Sequence, residues 1–167
     1  MDTNEVITNY ENPMSAIMQK PNASLVKAMQ KVGESDEYIG MVTLGSSGAI
    51  LIGSYKFLAT ENMTRPCLGA LLPNADGNYT LLVDAGATID ATAYQLNEFA
   101  TLGSEFMRKL YNIPSPQVAI LSNGAEAGKG NKLVKETYPL LLENQKKFHS
   151  LQKPQESGNN YHPLYNQ

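Results

Sequence analysis

Residues 79–90, with the sequence YTLLVDAGATID, decide the fold that this chain is expected to adopt. Five β-favouring residues run from Tyr79 directly into Asp84 and Gly86. This pattern is typical of a strand buried on both faces that ends in a tight polar turn, and a helical pattern follows it. In open α/β sheets ligands bind beyond the carboxyl ends of the strands, so Asp84, Gly86 and Asp90 are candidate site residues. A strand-end aspartate that only caps the next helix explains Asp84 equally well.

The segments on either side alternate between helical and strand-like patterns. Apolar residues recur at helical spacing in segments 14–18, 24–32 and 92–110. Helices are also predicted over 49–59, which is apolar almost all round, and over 132–148. Segment 38–44 is predicted to be a short buried strand, and segment 117–121 is predicted to be a further strand. A hairpin is expected between segment 67–72 and the strand at 79, because Asp76 and Gly77 form a strong turn signal. The pattern predicts one α/β domain over residues 1–150 with a mixed, mainly parallel sheet, followed by a polar tail over 151–167 that is disordered or loosely docked.

Composition excludes several classes of function. The net charge of −3 and the pI near 5.4 argue against nucleic-acid binding, and no apolar run is long enough to span a membrane. Cys67 is the only cysteine, which excludes an internal disulfide framework, and its apolar surroundings favour a buried small hydrophobe over a nucleophile. His149 and His162 lack partners at metal-ligand spacing, so no metal is expected. The N-terminus lacks the features of a signal peptide, which predicts a cytoplasmic protein.

Two glycine-bearing turns are candidate anion sites. Gly45, Ser46, Ser47 and Gly48 separate a predicted strand from a predicted helix, which places unpaired amides and hydroxyls at a helix N-terminus. A tight turn with serine caps explains the same residues.

The second of these turns contains Lys129, which stands between two glycines and can approach an anion closely, although a solvated loop lysine fits equally. The turn is not a P-loop, because Gly130 stands where the hydroxyl that binds Mg²⁺ belongs.

Five motifs in a fixed order resemble one known family. They are TLGSSGA at 43–49, RPCL at 65–68, VDAGATID at 83–90, FATLGS at 99–104 and ILSNGAEAGKGNK at 120–132. From about residue 4 to residue 142 the chain resembles the phosphate acyltransferase of bacterial phospholipid synthesis, PlsX. The resemblance implies a three-layer α/β/α sandwich similar to isopropylmalate dehydrogenase, present here in an incomplete form. It also implies formation of acyl phosphate from acyl-acyl carrier protein and inorganic phosphate, without a metal or other cofactor.

The resemblance also implies roles for individual residues and partners. Lys129 would stabilise charge, and Asp84 or Asp90 would orient donors or accept a proton. Phosphate or substrate binding would fall to Gly45, Ser46, Ser47, Gly48, Arg65, Gly86, Thr88, Ser122, Gly124, Glu126, Gly130 and Asn131. Acyl carrier protein and inorganic phosphate are the implied partners, together with a second copy of the chain in a homo-oligomer and peripheral contact with a membrane.

Departures from the family pattern suggest an alternative function. Ser46, Thr88 and Ser122 stand where the family has asparagines, and these shorter side chains cannot both donate and accept through an amide. Family members are about twice as long, and their glycine-rich opening has no counterpart here. The alternative is a catalytically inactive or split homologue that acts as a binding or assembly module, because unpaired sheet edges seek partners.

Overall fold

The computed structural model describes residues 3–61, 63–75, 77–124 and 129–144, which fall into two compact units, Met1–Leu68 and Gly69–Gln167. The described elements of the first unit are the helices α1 (Pro13–Gln19), α2 (Ser24–Glu34) and α3 (Ser47–Leu58). Those of the second unit are β1 (Gly69–Pro73), β2 (Tyr79–Val83), α4 (Ala93–Tyr111) and α5 (Lys132–Glu143). None of the described helices has the length and apolar character that a membrane crossing needs. The predicted tail, His149 and His162 lie outside the described residues, and the single domain over residues 1–150 stays a prediction.

The core of the first unit lies between its helices. Leu25, Val26 and Met29 are buried on one face of α2, as the helical spacing of its apolar residues predicts. Helix α3 packs closely against this face at Gly53, where an added Cβ would lie 2.3 Å from the Met29 sulfur. Gly53 therefore sets the separation of α2 and α3, since any larger residue would require the core to move.

An ion pair ties the N-terminal segment to the end of α1. Lys20 is the C-cap of α1, and its Nζ donates to the Val6 carbonyl at 2.6 Å and to the Glu11 carboxylate. The Thr8 amide also donates to Glu11, at 2.7 Å. The Lys20 hydrogen bond is the main cause that lowers the pKa of Glu11 from its ordinary 4.5 to about 2. The ionised form of Glu11 is thus the form that the fold prefers.

We expect Lys20→Met to raise the pKa of Glu11 towards 4.5 and to reduce the acid sensitivity of the fold. Because the folded-state pKa is the lower one, the contribution of Glu11 to stability is present above pH 4.5 and is lost as the pH falls towards 2. An NMR titration of Glu11, together with urea midpoints across this range, measures both effects. Lys27→Met is the matched control in the same unit, and an unchanged Glu11 pKa in Lys20→Met would contradict the prediction.

The predicted hairpin is confirmed in the second unit. Strands β1 and β2 pair antiparallel, with Gly69 opposite Val83 and Pro73 opposite Tyr79. Helix α4 packs on the hairpin at Gly103, where an added Cβ would lie 3.3 Å from Val83 Cγ2. The glycine inside this helix therefore allows close packing on β2.

Helices α4 and α5 run in opposite directions where they touch. Asn144, just after α5, donates to Asn97 near the start of α4 at 2.9 Å, and one turn further along α4 Ala100 packs with Leu141. As the residue numbers of the contacting residues increase along α4, those of their partners on α5 decrease. The N-terminus of α4 and the N-terminus of α5 consequently lie at opposite ends of the helix pair.

Several sequence-based expectations about the strands are wrong for the described residues. Segments 38–44 and 117–121 are not strands, and Val118 forms a single bridge only. Strand β2 is not buried on both faces, because Tyr79 is 49% and Leu82 is 38% exposed. A strand exists only where a neighbour pairs with its backbone, and apolar composition cannot supply that neighbour. The described chain is thus a mixed α/β structure with a two-stranded antiparallel sheet.

Smaller local expectations also differ from the structure. Ser24 is the first residue of α2 rather than its N-cap, which is Ala23 without a side-chain hydrogen bond. Gly33 lies inside α2 and does not end it. Cys67 is half-buried rather than buried.

Candidate functional site

Asp84 is the first residue after β2, and its side chain closes the loop of residues 84–88. Its Oδ2 accepts a hydrogen bond from the Thr88 amide at 2.7 Å, and the carboxylate is half-buried. Within the loop Gly86 has a φ of +100°, and an added Cβ would meet no atom within 4 Å, so backbone conformation alone requires the glycine. The helix-cap interpretation of Asp84 is wrong, because Thr92 caps α4 in a capping box with Gln95.

The far side of this loop presents two polar side chains in different environments. The Thr88 Oγ1 is buried and has no hydrogen-bond partner among the described residues. Asp90 is exposed, and its neighbour Ile89 is 97% exposed. A buried hydroxyl without a partner costs about 1–3 kcal/mol, so a polar ligand that reached Thr88 would recover that energy.

A second loop precedes α5, and a hydrogen bond between Asn123 and Gly130 joins its two ends. The Asn123 Oδ1 accepts from the Gly130 amide at 3.1 Å. Gly130 has a φ of +92°, and an added Cβ would lie 2.9 Å from the Ser122 hydroxyl oxygen. Asn131 is the N-cap of α5 and accepts from the Val134 amide at 2.9 Å. The structure thus brings Ser122, Asn123, Gly130 and Asn131 together, while Glu126 lies outside the described residues.

Asn123 is the residue of this loop that the sequence did not select as a site residue. The sequence feature that could have identified Asn123 is its position before Gly124 in a predicted turn, because asparagine side chains in turns commonly form hydrogen bonds with nearby backbone.

Replacing Gly130 with alanine is expected to loosen this loop. The new Cβ would lie 2.7 Å from Val134 Cγ1 and would force alanine into the left-handed region, so we expect a loss of about 1–3 kcal/mol. Gly77→Ala is the matched control, because Gly77 also has a positive φ of +76° but an added Cβ meets nothing within 4 Å. Urea unfolding measures both variants. Equal losses would show that backbone strain, rather than the contacts of Gly130, decides the effect.

Lys129 is exposed at the entrance to α5. It makes no hydrogen bond or ion pair with the part of the chain that the structure describes. The N-terminal end of a helix carries partial positive charge, so a lysine placed there is unfavourable for the helix by about 0.3–1 kcal/mol. An anion bound at this end would be attracted both by Lys129 and by the free amides of the first helical turn.

The first unit holds the other predicted anion site, at the N-terminus of α3. Ser46 is the N-cap, but its side chain makes no capping hydrogen bond, which contradicts the serine-cap interpretation. The Gly45 amide donates to Thr43 Oγ1 at 3.1 Å. Gly48 serves packing, because an added Cβ would lie 2.7 Å from Pro13 Cγ. Ser47 and Arg65 are exposed, and neither makes a hydrogen bond through its side chain to another described residue.

Within the described residues, no group of three His, Cys, Asp or Glu side chains is arranged to hold a metal ion. In the second unit, the structure brings Asp84 to Thr88 and Ser122 to Gly130. Gly124 is half-buried beside the second loop.

Comparisons with known proteins show what this chain is similar to over most of its length. The family model described as "Fatty acid synthesis protein" matches residues 1–151. A phosphate acyltransferase of Syntrophomonas wolfei is 40% identical over 142 residues, which are 84% of this chain and 44% of that protein. The phosphate acyltransferase of Aquifex aeolicus is 43% identical over 132 residues, 77% of this chain and 38% of that protein. The chain therefore spans less than half the length of these relatives.

Proposed function

Since the chain belongs to the fatty acid synthesis protein family, whose curated relatives here are phosphate acyltransferases, we propose that it takes part in acyl-phosphate formation. The substrates are acyl-acyl carrier protein and inorganic phosphate, and the product serves phospholipid synthesis. The loop closed by the hydrogen bond from Gly130 to Asn123 is the observation that carries this proposal, because Lys129 lies in it, just before the N-terminus of α5. A cation and unpaired amides at one helix end are suited to a phosphate.

The proposed reaction needs no covalent bond to the protein. A phosphate oxygen attacks the thioester carbonyl carbon, a C–O bond forms, the C–S bond breaks, and the thiol of the carrier protein leaves with a proton. The protein must hold two reactants in contact and stabilise the oxyanion of the intermediate. Lys129 supplies positive charge, and Asp84 or Asp90 orients a donor or accepts a proton.

The remaining predicted residues would bind phosphate or substrate. In the second unit these are Gly86, Thr88, Ser122, Gly124, Glu126, Gly130 and Asn131. The unpartnered Thr88 hydroxyl supports a polar ligand at the first loop. In the first unit Gly45, Ser46, Ser47, Gly48 and Arg65 form a separate candidate, supported by the Ser46 side chain that leaves the α3 amides uncapped.

The finer predictions about architecture and partners belong to the same proposal. The whole protein would be a three-layer α/β/α sandwich with a mainly parallel sheet, similar to isopropylmalate dehydrogenase. It would act in the cytoplasm as a homo-oligomer, with acyl carrier protein as its partner and a peripheral contact with the membrane. These points rest on family membership alone.

A second candidate is a split or inactive homologue that works as an assembly module. The specific observation in its favour is that the match covers only 38–44% of the length of the relatives. Part of the site of a full-length enzyme would then have to come from the remaining sequence of the family.

Turnover by the purified 167-residue chain separates the two candidates. Acyl-carrier-protein thioester and phosphate are supplied, and the acyl phosphate is trapped with hydroxylamine as the hydroxamate. Phosphate-dependent hydroxamate formation supports the first candidate. Absence of turnover from protein shown by circular dichroism to be folded would reject it and leave the assembly module.

A further inference from the structure

Asn123 stands directly before a glycine, and this pair of residues occurs once in the chain. The side-chain amide of an asparagine can be attacked by the backbone nitrogen of the next residue. Glycine has no Cβ, so it crowds this nitrogen least and leaves its backbone most free to turn. Asparagine is accordingly among the thermolabile residues that hyperthermophilic proteins contain less often. Asn123 therefore meets the sequence requirement for spontaneous deamidation.

The loop before α5 leaves both reacting groups of this pair available. Asn123 is exposed, and its side-chain nitrogen donates to no described residue. The backbone nitrogen of Gly124, which would be the nucleophile, makes no hydrogen bond with the described part of the chain. Neither nitrogen has to give up a hydrogen bond to a described residue before the reaction begins.

The side-chain oxygen of Asn123, in contrast, faces two hydrogen-bond donors. It accepts from the Gly130 amide at 3.1 Å and, less closely, from the Ser122 hydroxyl at 3.5 Å. This oxygen gains negative charge when the carbonyl carbon becomes tetrahedral. Donors that are already aimed at such an oxygen lower the barrier to acyl transfer. The closed loop thus presents the Asn123 amide with the arrangement that an oxyanion hole presents to a substrate.

We propose that Asn123 is a site of spontaneous deamidation and that the closed loop promotes the reaction. The Gly124 nitrogen attacks the side-chain carbonyl carbon of Asn123, a new C–N bond forms, and the C–N bond to the side-chain nitrogen breaks. That nitrogen leaves as ammonia with the proton from Gly124, and a succinimide ring remains. Water then opens the ring at either of its carbonyls, which produces aspartate or isoaspartate.

Either product places a new carboxylate in the loop that contains Lys129. Aspartate retains an oxygen that accepts from the Gly130 amide, whereas isoaspartate adds a carbon to the main chain and alters the path of the loop. A negative charge here opposes the binding of a phosphate, and this consequence rests on the proposed function. The covalent change itself does not depend on that function.

The test incubates the full chain at neutral pH and follows Asn123 by mass spectrometry of the tryptic peptide 110–129. Deamidation raises the mass of this peptide by one dalton, and fragmentation assigns the site. Asn112 is the internal control, because it lies in the same peptide but precedes Ile113. We expect Asn123 to convert at least about tenfold faster in the folded chain than in guanidinium chloride, since the two donors act only in the folded loop.

Two variants test the assignment of the site and of its donors. Ser122→Ala removes one donor and should slow conversion about twofold or more in the folded chain, with no change in denaturant. Asn123→Gln requires a larger ring to close, so labelling of the aged chain by an isoaspartyl methyltransferase should be lost.

Conversion of Asn112 as fast as that of Asn123, or a rate in the folded chain no faster than in denaturant, overturns the proposal. Since turnover is not read, failure of the proposed catalytic function leaves this result unaffected.

Discussion

Lys129→Ala is expected to lower the rate of the proposed acyl-phosphate formation about 100- to 1,000-fold. This range is the usual cost of removing one donor that stabilises an oxyanion. The effect follows from the place of Lys129 just before the N-terminus of α5, where it makes no ion pair with a described residue that could account for a structural effect. The rate and the KM for phosphate are measured together, because a residue that binds the phosphate in both ground and transition states changes KM as well.

Lys132→Ala is the control for this result. Lys132 lies three positions further on, is 89% exposed and forms an exposed pair with Glu136 at 3.7 Å. Exposed pairs of this kind contribute little, so a change of about twofold or less in rate is expected. Comparable losses in the two variants would mean that net charge near α5, and not Lys129 itself, supports the reaction.

Phe99→Ala is expected to destabilise the second unit by about 3–5 kcal/mol. Phe99 is 1% exposed and is among the largest fully buried side chains. Truncation to alanine removes the favourable free energy of burying the aromatic ring and leaves a cavity that α4 cannot fill. Because a domain of ordinary stability has about 5–15 kcal/mol in total, the loss is a large fraction of it.

The urea midpoint measures the effect of Phe99→Ala, with the slope of the transition checked for change. Phe106→Ala is the matched control in the same helix, because Phe106 is 38% exposed and contacts the Tyr111 ring at its surface. We expect the control to lose clearly less stability. A midpoint shift no larger than that of the control would contradict the assignment of Phe99 to the core.

Elements defined by local signals were predictable from the sequence. The buried face of α2, with Leu25 and Met29 at helical spacing, is such a case. So is the hairpin, whose turn carries Gly77 with a φ of +76°. Each of these sequence signals lies within the element that it specifies, so a single sequence is sufficient to predict that element.

Elements defined by distant neighbours were not predictable. Segment 38–44 has the composition of a strand, but pairing depends on another part of the sequence. The glycines show the same limit: Gly48 and Gly53 are required by Pro13 and Met29 on other helices. In the candidate site, the link from Asn123 to Gly130 depends on how the loop closes, which spacing alone does not specify.

Segment 38–44, in which Ile39, Val42 and Leu44 are fully exposed, has a consequence for the protein in the cell. Seven uncharged residues with high β-propensity and no proline are the composition that seeds cross-β aggregation. Asp36 and Glu37 stand directly before the segment, where like charges act as gatekeepers against self-stacking. These two carboxylates flank only the N-terminal end of the segment, so the exposed Val42 and Leu44 should make the chain prone to self-association at high concentration.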